Sequence, residues 1–302
     1  MVLSVTVIVC TMAEPERRAL LLRALDSARA ASTQPVQFAV VVNGPRRDPE
    51  VVQALQAMAD VMLVSLPHAS LPAACLAGRQ AVKTPFYCFL DDDDELLPGA
   101  VDLRLVPLLA DPAVDLVTSN GYEVINGCDV LNYSRLGRVA AAPWHEIFQE
   151  NWLASCSAMF RTASVGSDYF EDSMPYAEWT WLAFQLAQKG KTVAVVDQPT
   201  FRVHNTPGSA SKSQRHGQAL ATLHQKMLDS APPPDIERLV RQRIGAHLHT
   251  QAEKLWRSGQ LRAAWAAHLR SLACPGGLRY LLFSRHLLLP GRTGPAAQDA
   301  QR

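Results

Sequence analysis

The sequence predicts an α/β protein: an open, mainly parallel sheet with helices on both faces, followed by a helical C-terminal extension. Three observations predict it. Segments apolar on both parities alternate with segments of helical spacing through the first hundred residues. An acidic run, Asp91 to Glu95, sits directly behind an aromatic and aliphatic stretch, where a buried strand ends. Past the prolines Pro232 to Pro234 the pattern is helical to about residue 289.

In order, "LSVTVIVC" has the pattern of a strand covered on both faces, and "PERRALLLRALDSARA" places Leu20, Leu21, Leu25 and Ala28 at helical spacing. The unit recurs. "VQFAVVVNG" precedes "DPEVVQALQAMA", "VMLVSL" precedes "PAACLAGRQAVKT", and "FYCFL" precedes the acidic run. Ligands of open α/β sheets bind outside the carboxyl ends of the strands, so the loops after Cys10, Asn43 and Leu90 are expected to face one crevice. Farther on, "VDLVTSNGYEVING" reads as strand and turn, and "ENWLASCSAMFRTAS" as a mixed segment. "YAEWTWLAFQLAQKG" reads as a helix closed by Gly190, and "KTVAVVDQPTFRVHN" as a strand. "TPGSASKSQRHG" reads as a loop, and Asp235 as the cap of the helix after the prolines. The expected division is 1–213 for the α/β domain and 214–302 for the helical extension, with the last ~10 residues disordered. "AEKLWRSGQLRAAWAAHLRSL" resembles a single tetratricopeptide-like hairpin without a second copy, so two docked helices are expected rather than a solenoid.

Composition narrows the function. The 302 residues suffice for a large core, and 29 Lys and Arg against 28 Asp and Glu give a net charge of +1. That balance supplies no global field for nucleic acid. Six cysteines without a CxxC pair fit reduced thiols, in the cytoplasm, better than a disulfide framework or a zinc site. The apolar start has neither a basic leader nor a small-residue cleavage site, and no apolar run reaches the roughly 18 residues of a membrane span. A cytoplasmic protein is expected, with peripheral contact at the inner face of the membrane as an added option. The option comes from residues 254–292, which carry seven Lys and Arg and no Asp or Glu, interleaved with Trp256, Trp265, Tyr280 and Phe283.

Adjacent carboxylates repel: a pair ~5 Å apart at an effective dielectric of ~20 costs about 3 kcal/mol. A divalent cation relieves this. Mg²⁺ or Mn²⁺ takes one or two carboxylates together with the oxygens of a diphosphate. The competing reading is an acidic first turn of the helix that follows.

These residues resemble the inverting family 2 glycosyltransferases of GT-A fold. The resemblance runs over about residues 3 to 210, through "VIVCTMAEP", "VVVNG", "AGRQAVKTPFYCFLDDDDELLP" and "NWLASCSAMFRTASVGSDYFEDSMPYAEWTWLAFQLAQKGKTVAVVDQPTFRVHN". It implies a nucleotide-sugar donor, a glycan or lipid-linked glycan acceptor and a Mn²⁺ or Mg²⁺ ion. Asp91 and Asp93 match the ends of the family's Asp-x-Asp. Asp93 then binds the metal, and Asp91 and Asp92 lie by the donor's ribose and diphosphate. Cys10, Thr11 and Met12 fall where the first loop passes the nucleobase, through backbone groups, and Asn43 ends the second strand. Glu178 takes the first position of the Glu-Asp pair that supplies the general base. His204 matches a His near the diphosphate or metal, two residues after Arg202, which is expected to meet a nearby carboxylate.

The chain departs from the pattern at three places. Trp179 replaces the Asp of the pair, Val42 stands where an Asp commonly meets the nucleobase, and Cys75 and Leu76 replace an Arg-Asn before Gly78. Trp179 and Trp181 are expected to wall a sugar pocket and desolvate Glu178. Glu171 and Asp172 are reserve bases, and Lys212 and Arg215 belong to a lid or a connector. The expectation is a metal-dependent inverting sugar transferase of cell-surface polysaccharide assembly. The alternative is a degenerate member that binds nucleotide or glycan without catalysis.

Overall fold

The structure, a computed structural model, describes residues 5–204 and 214–288, with side chains in the second stretch from Ala219. The chain separates into two compact units, Met1–Ala219 and Leu220–Arg302.

The first unit opens with β1 (Val5–Thr11), α1 (Arg18–Ala30), β2 (Val36–Asn43), α2 (Pro49–Gln56), β3 (Val61–Leu66), α3 (Leu71–Ala81) and β4 (Phe86–Asp91). After a turn come β5 (Glu95–Leu96), α4 (Ala100–Ala110), β6 (Leu116–Ile125), β7 (Cys128–Leu131) and α5 (Pro143–Glu146). Then follow β8 (Ala158–Arg161), α6 (Asp168–Glu171), α7 (Glu178–Gln188) and β9 (Val193–His204). The strands form one sheet in the order β3-β2-β1-β4-β8-β6-β9-β5, with β7 beside β6. From β3 to β4 every pairing is parallel. Beyond β4 the sheet is mixed, with antiparallel pairs β4–β8, β8–β6 and β9–β5 around the parallel pair β6–β9.

The central parallel strands β1, β2 and β4 are buried on both faces, as their unbroken apolar patterns require: Val7, Ile8, Val9, Val40 and Cys88 are fully covered, whereas β3, at the sheet edge, is part-exposed. Register does the positioning. Cys10 pairs with both Val41 and Asp91, so the carboxyl ends of β1, β2 and β4 lie level on one edge, the expected crevice. Local signals fix the helices. Asp48 caps α2 by accepting from the Glu50 and Val51 N–H groups, and Ser70 caps α3 by accepting from Ala73. Gly190, at φ +66°, stands just beyond the end of α7.

Two residues order the mixed part of the sheet. Arg104 of α4 is 0% exposed. Its Nε donates to Ser119 Oγ (3.0 Å), and its Nη2 donates to Cys156 O (2.6 Å) and Thr200 Oγ1 (2.7 Å). Gly121 of β6 lies flat against the buried Phe201 ring, where an added Cβ stands 2.5 Å from three ring carbons. A ring held in the core cannot yield as the end of a flexible chain does. Gly121→Ala is therefore expected to destabilise by about 2 kcal/mol, read as a lower urea midpoint at unchanged m.

The second unit is helical. α8 (Gln214–Asp229) crosses the division, followed by α9 (Pro234–Arg257), α10 (Leu261–Leu272), a 3₁₀ helix over Gly277–Phe283 and α11 (Ser284–Leu288). Gly259, at φ +77°, turns the chain between α9 and α10, where the hairpin was expected. Asp235 is not the cap of α9. Pro233 takes that place and Asp235 falls in the first turn, because Pro234 is pre-organised for the first helical position.

Candidate active site

The acidic run does not present one face. Asp92 turns inward and is 5% exposed. Thr11 Oγ1 donates to it at 2.6 Å, Arg17 Nε donates at 3.1 Å, and Arg17 Nη2 pairs with its other oxygen. Arg17 Nη2 also lies 3.3 Å from Asp93. The hydrogen bond to Asp92 is the main cause of the raised pKa of this guanidinium. Part of the relief expected from a metal thus comes from within the chain.

Asp91 and Asp94 are placed differently. Asp91 accepts from Ser155 Oγ at 2.6 Å. Asp94 accepts from the His204 backbone N–H at 2.8 Å and lies 3.8 Å from the Cys156 thiol. Among the described residues no Lys, Arg or His side chain forms an ion pair with either. Burial, above all, pushes both carboxyls upward, and the neighbouring carboxylates add to it.

Both acids line a cavity of about 340 Å³ at the sheet edge, together with Asn151, Ser155, Tyr176, Glu178, Trp179 and Thr180. Glu178 is the first residue of α7, where the helix dipole favours a carboxylate, and its Oε1 accepts from the Tyr176 N–H at 3.1 Å. Tyr176 has φ +67°, a conformation that costs energy in a non-glycine residue and recurs at functional sites. Trp179 meets Phe89 edge-on, with centroids 5.0 Å apart, and borders the cavity beside Glu178. Asn151 Nδ2 donates to Thr180 Oγ1 at 3.1 Å, tying the segment before β8 to α7.

Other expected residues are placed elsewhere. Trp181 is 4% exposed, stacks on Phe184 and does not line the cavity, because two residues past Trp179 is about 200° around the helix. Glu171 and Asp172 are exposed and do not line it either. The Thr11 side chain is buried on Asp92, so any contact it makes to a ligand falls to its backbone, as expected for this loop. Asn43 is 8% exposed and accepts from the Ser70 N–H at 2.8 Å, clasping β2 to α3. Met12 Sδ accepts from Arg46 Nη2 at 3.2 Å. Cys10 is half-buried beside Cys75, whose thiol is pushed up first by their hydrogen bond and then by burial. The ring of His204 is engaged by Glu95 at 2.6 Å, and Val203 is the β9 residue that reaches the cavity. Arg202 donates twice to Asp129, at 2.8 and 2.6 Å, as its expected carboxylate pairing required. Lys212 and the side chain of Arg215 lie outside the described residues.

Among the described residues no three of His, Cys, Asp and Glu stand together to cage a metal. The donor set is instead a pair of buried carboxylates open to a cavity. That set fits a hard cation that fills the rest of its shell with phosphate oxygens and water.

A family model described as "Glycosyl transferase family 2" matches residues 6–163. No curated protein sequence matches the chain. Among solved structures, S. aureus TarS 1-349 in complex with UDP-GlcNAc aligns at a TM-score of 0.60 and 13% identity, over 81% of this chain and 72% of that one. A second structure of S. aureus TarS 1-349 aligns at 0.58 and 13%, over 89% and 80%. The likeness is one of fold, and that fold is GT-A. The family match takes in the acidic run and reaches past β8, more than half of the 302 residues. The chain belongs to glycosyl transferase family 2.

Proposed function

We propose that the protein is a metal-dependent inverting glycosyltransferase that moves a sugar from a nucleoside-diphosphate donor to a hydroxyl of a glycan or lipid-linked glycan, in cell-surface polysaccharide assembly. One observation carries the reading: the end of β4 and the first turn of α7 bring Asp91, Asp94 and Glu178 onto one cavity with Trp179 as its apolar wall. The bound UDP-GlcNAc of TarS supports a nucleotide-sugar donor for this fold. The six free cysteines suit a reducing cytoplasm.

In this mechanism Glu178 takes the proton of the acceptor hydroxyl as it attacks the anomeric carbon, on the face opposite the departing diphosphate. The Tyr176 N–H holds one oxygen of that carboxylate at the start of α7. Trp179 offers a flat apolar surface to the C–H face of a sugar ring. Asp91 and Asp94, which line the cavity, would hold Mn²⁺ or Mg²⁺ together with Asp93 of the same turn, and the ion would supply charge compensation for the leaving phosphate. Arg17 keeps Asp92 and Asp93 in place through its ion pairs. A carboxylate retained at residue 178, inside the cavity, favours catalysis over a binding module that lost it.

Thermal unfolding against a panel of nucleoside diphosphates tests the donor site. A midpoint raised by one nucleotide, only when Mn²⁺ is present and not in Asp93→Ala, is the expected result. The absence of any shift would leave the binding of such donors without support.

A further inference from the structure

We propose that the segment Gly277–Leu288 of the second unit is a contact surface for an anionic phospholipid bilayer. The inference is independent of the transfer reaction.

Residues 277–283 form a 3₁₀ helix, in which every third residue returns to the same side. One side is anchored. Tyr280 stacks on His249 of α9 with centroids 4.0 Å apart. Phe283 meets His249 at 5.2 Å, His268 of α10 at 5.4 Å and Trp256 at 6.0 Å, and His286 continues the row against Trp256 at 5.3 Å. The aromatic side chains that sequence composition offered to a membrane are thus turned inward.

Fixing that row turns the other two outward. Leu278 and Leu281 form one, 75% and 54% exposed, and Leu282 stands between Arg279 and Arg285 in the other at 74%. Leu288, 66% exposed, extends the apolar surface. Neighbouring leucines this exposed mark a contact site.

Charge selects the partner. Residues 254–288 hold Lys254, Arg257, Arg262, Arg270, Arg279 and Arg285 and no Asp or Glu. Arg279 and Arg285 flank Leu282, with Glu253 held on His249, so a second copy joined through the same face by a two-fold axis would set these arginines against their own counterparts. Exposed leucines framed by arginines suit an interface of acyl chains beneath anionic headgroups. Contact is at the surface, because no described helix is long and apolar enough to cross a membrane.

The test is flotation of the full-length protein with phosphatidylglycerol vesicles, and with phosphatidylcholine vesicles as the control. Wild type is expected to float with the anionic vesicles alone and to be released by high salt. The triple change Leu278→Ser, Leu281→Ser, Leu282→Ser is expected to weaken binding about tenfold or more at an unchanged melting temperature, since all three side chains are exposed. Protein that stays at the bottom with phosphatidylglycerol overturns the proposal, as does a triple variant that binds as well as wild type. A wild-type dimer in sedimentation velocity that the triple change dissociates, without vesicle binding in either, would assign the face to a second copy instead.

Discussion

Glu178→Gln is expected to lower transfer by about 10²- to 10⁴-fold while leaving nucleotide binding unchanged. The carboxamide keeps the length and volume of the side chain, and its oxygen can still accept the Tyr176 N–H that holds Glu178 now. The substitution removes only the capacity to take a proton. Rates from single-turnover transfer and the nucleotide-induced rise in melting temperature, measured on the same preparation, separate the two roles. Full activity would end the assignment of Glu178 as base, and loss of the nucleotide shift as well would make it a structural residue. Glu171→Gln and Asp172→Asn serve as controls and should leave the rate within about twofold, as surface changes away from the cavity do.

Arg104→Ala should be the most damaging single change to the fold, at about 3–5 kcal/mol. The guanidinium is buried among hydroxyls and a carbonyl, and burial lowers its pKa. Truncation strips a donor from Ser119 Oγ, Cys156 O and Thr200 Oγ1 at once and opens a void between α4 and the sheet. Arg104→Met fills most of the void but still removes the donor to Cys156 O, while the Ser119 and Thr200 hydroxyls keep their bonds to each other and to the backbone, so comparing the two variants separates packing from hydrogen bonding. Chemical denaturation should give a lower midpoint with the same m for both, and a smaller loss for the methionine variant.

Much of this was legible in the sequence, for reasons that differ by element. Parallel strands covered on both faces read as unbroken apolar runs, so β1, β2 and β4 were recognisable one by one, as was the apolar edge strand β3, and the level edge at Cys10, Asn43 and Asp91 followed from their order. The second half of the sheet was not, because β8 finds β4 and β6 through pairings that no local pattern encodes. Glu178 was singled out by its match to the first position of the family's Glu-Asp pair, and it stands at a helix start on the cavity. Trp181 was misplaced because spacing places a side chain on a helix face without saying which face meets the cavity. Arg17 was missed for a different reason. Its partner Asp92 lies 75 residues away, and within "PERR" it reads as an ordinary helix-start cation. Thr11 and Asn43 were assigned to the donor, yet each is engaged by a neighbouring loop, Thr11 by Asp92 and Asn43 by Ser70.

The two cavity acids bear on the life of the protein in a cell. Burial pushes the Asp91 carboxyl up to about 6 and that of Asp94 to about 8, so at neutral pH the folded chain bears the cost of charging Asp91 and of keeping a proton on Asp94, a cost the unfolded chain does not bear. Any cationic or proton-donating partner that fills the cavity lowers that cost and leaves the unfolded chain unaffected. Quality-control proteases sample the opened state, so the lifetime of the chain becomes linked to the supply of what it binds. Scarcity of such a partner would then shorten the life of the chain as well as leave its cavity empty.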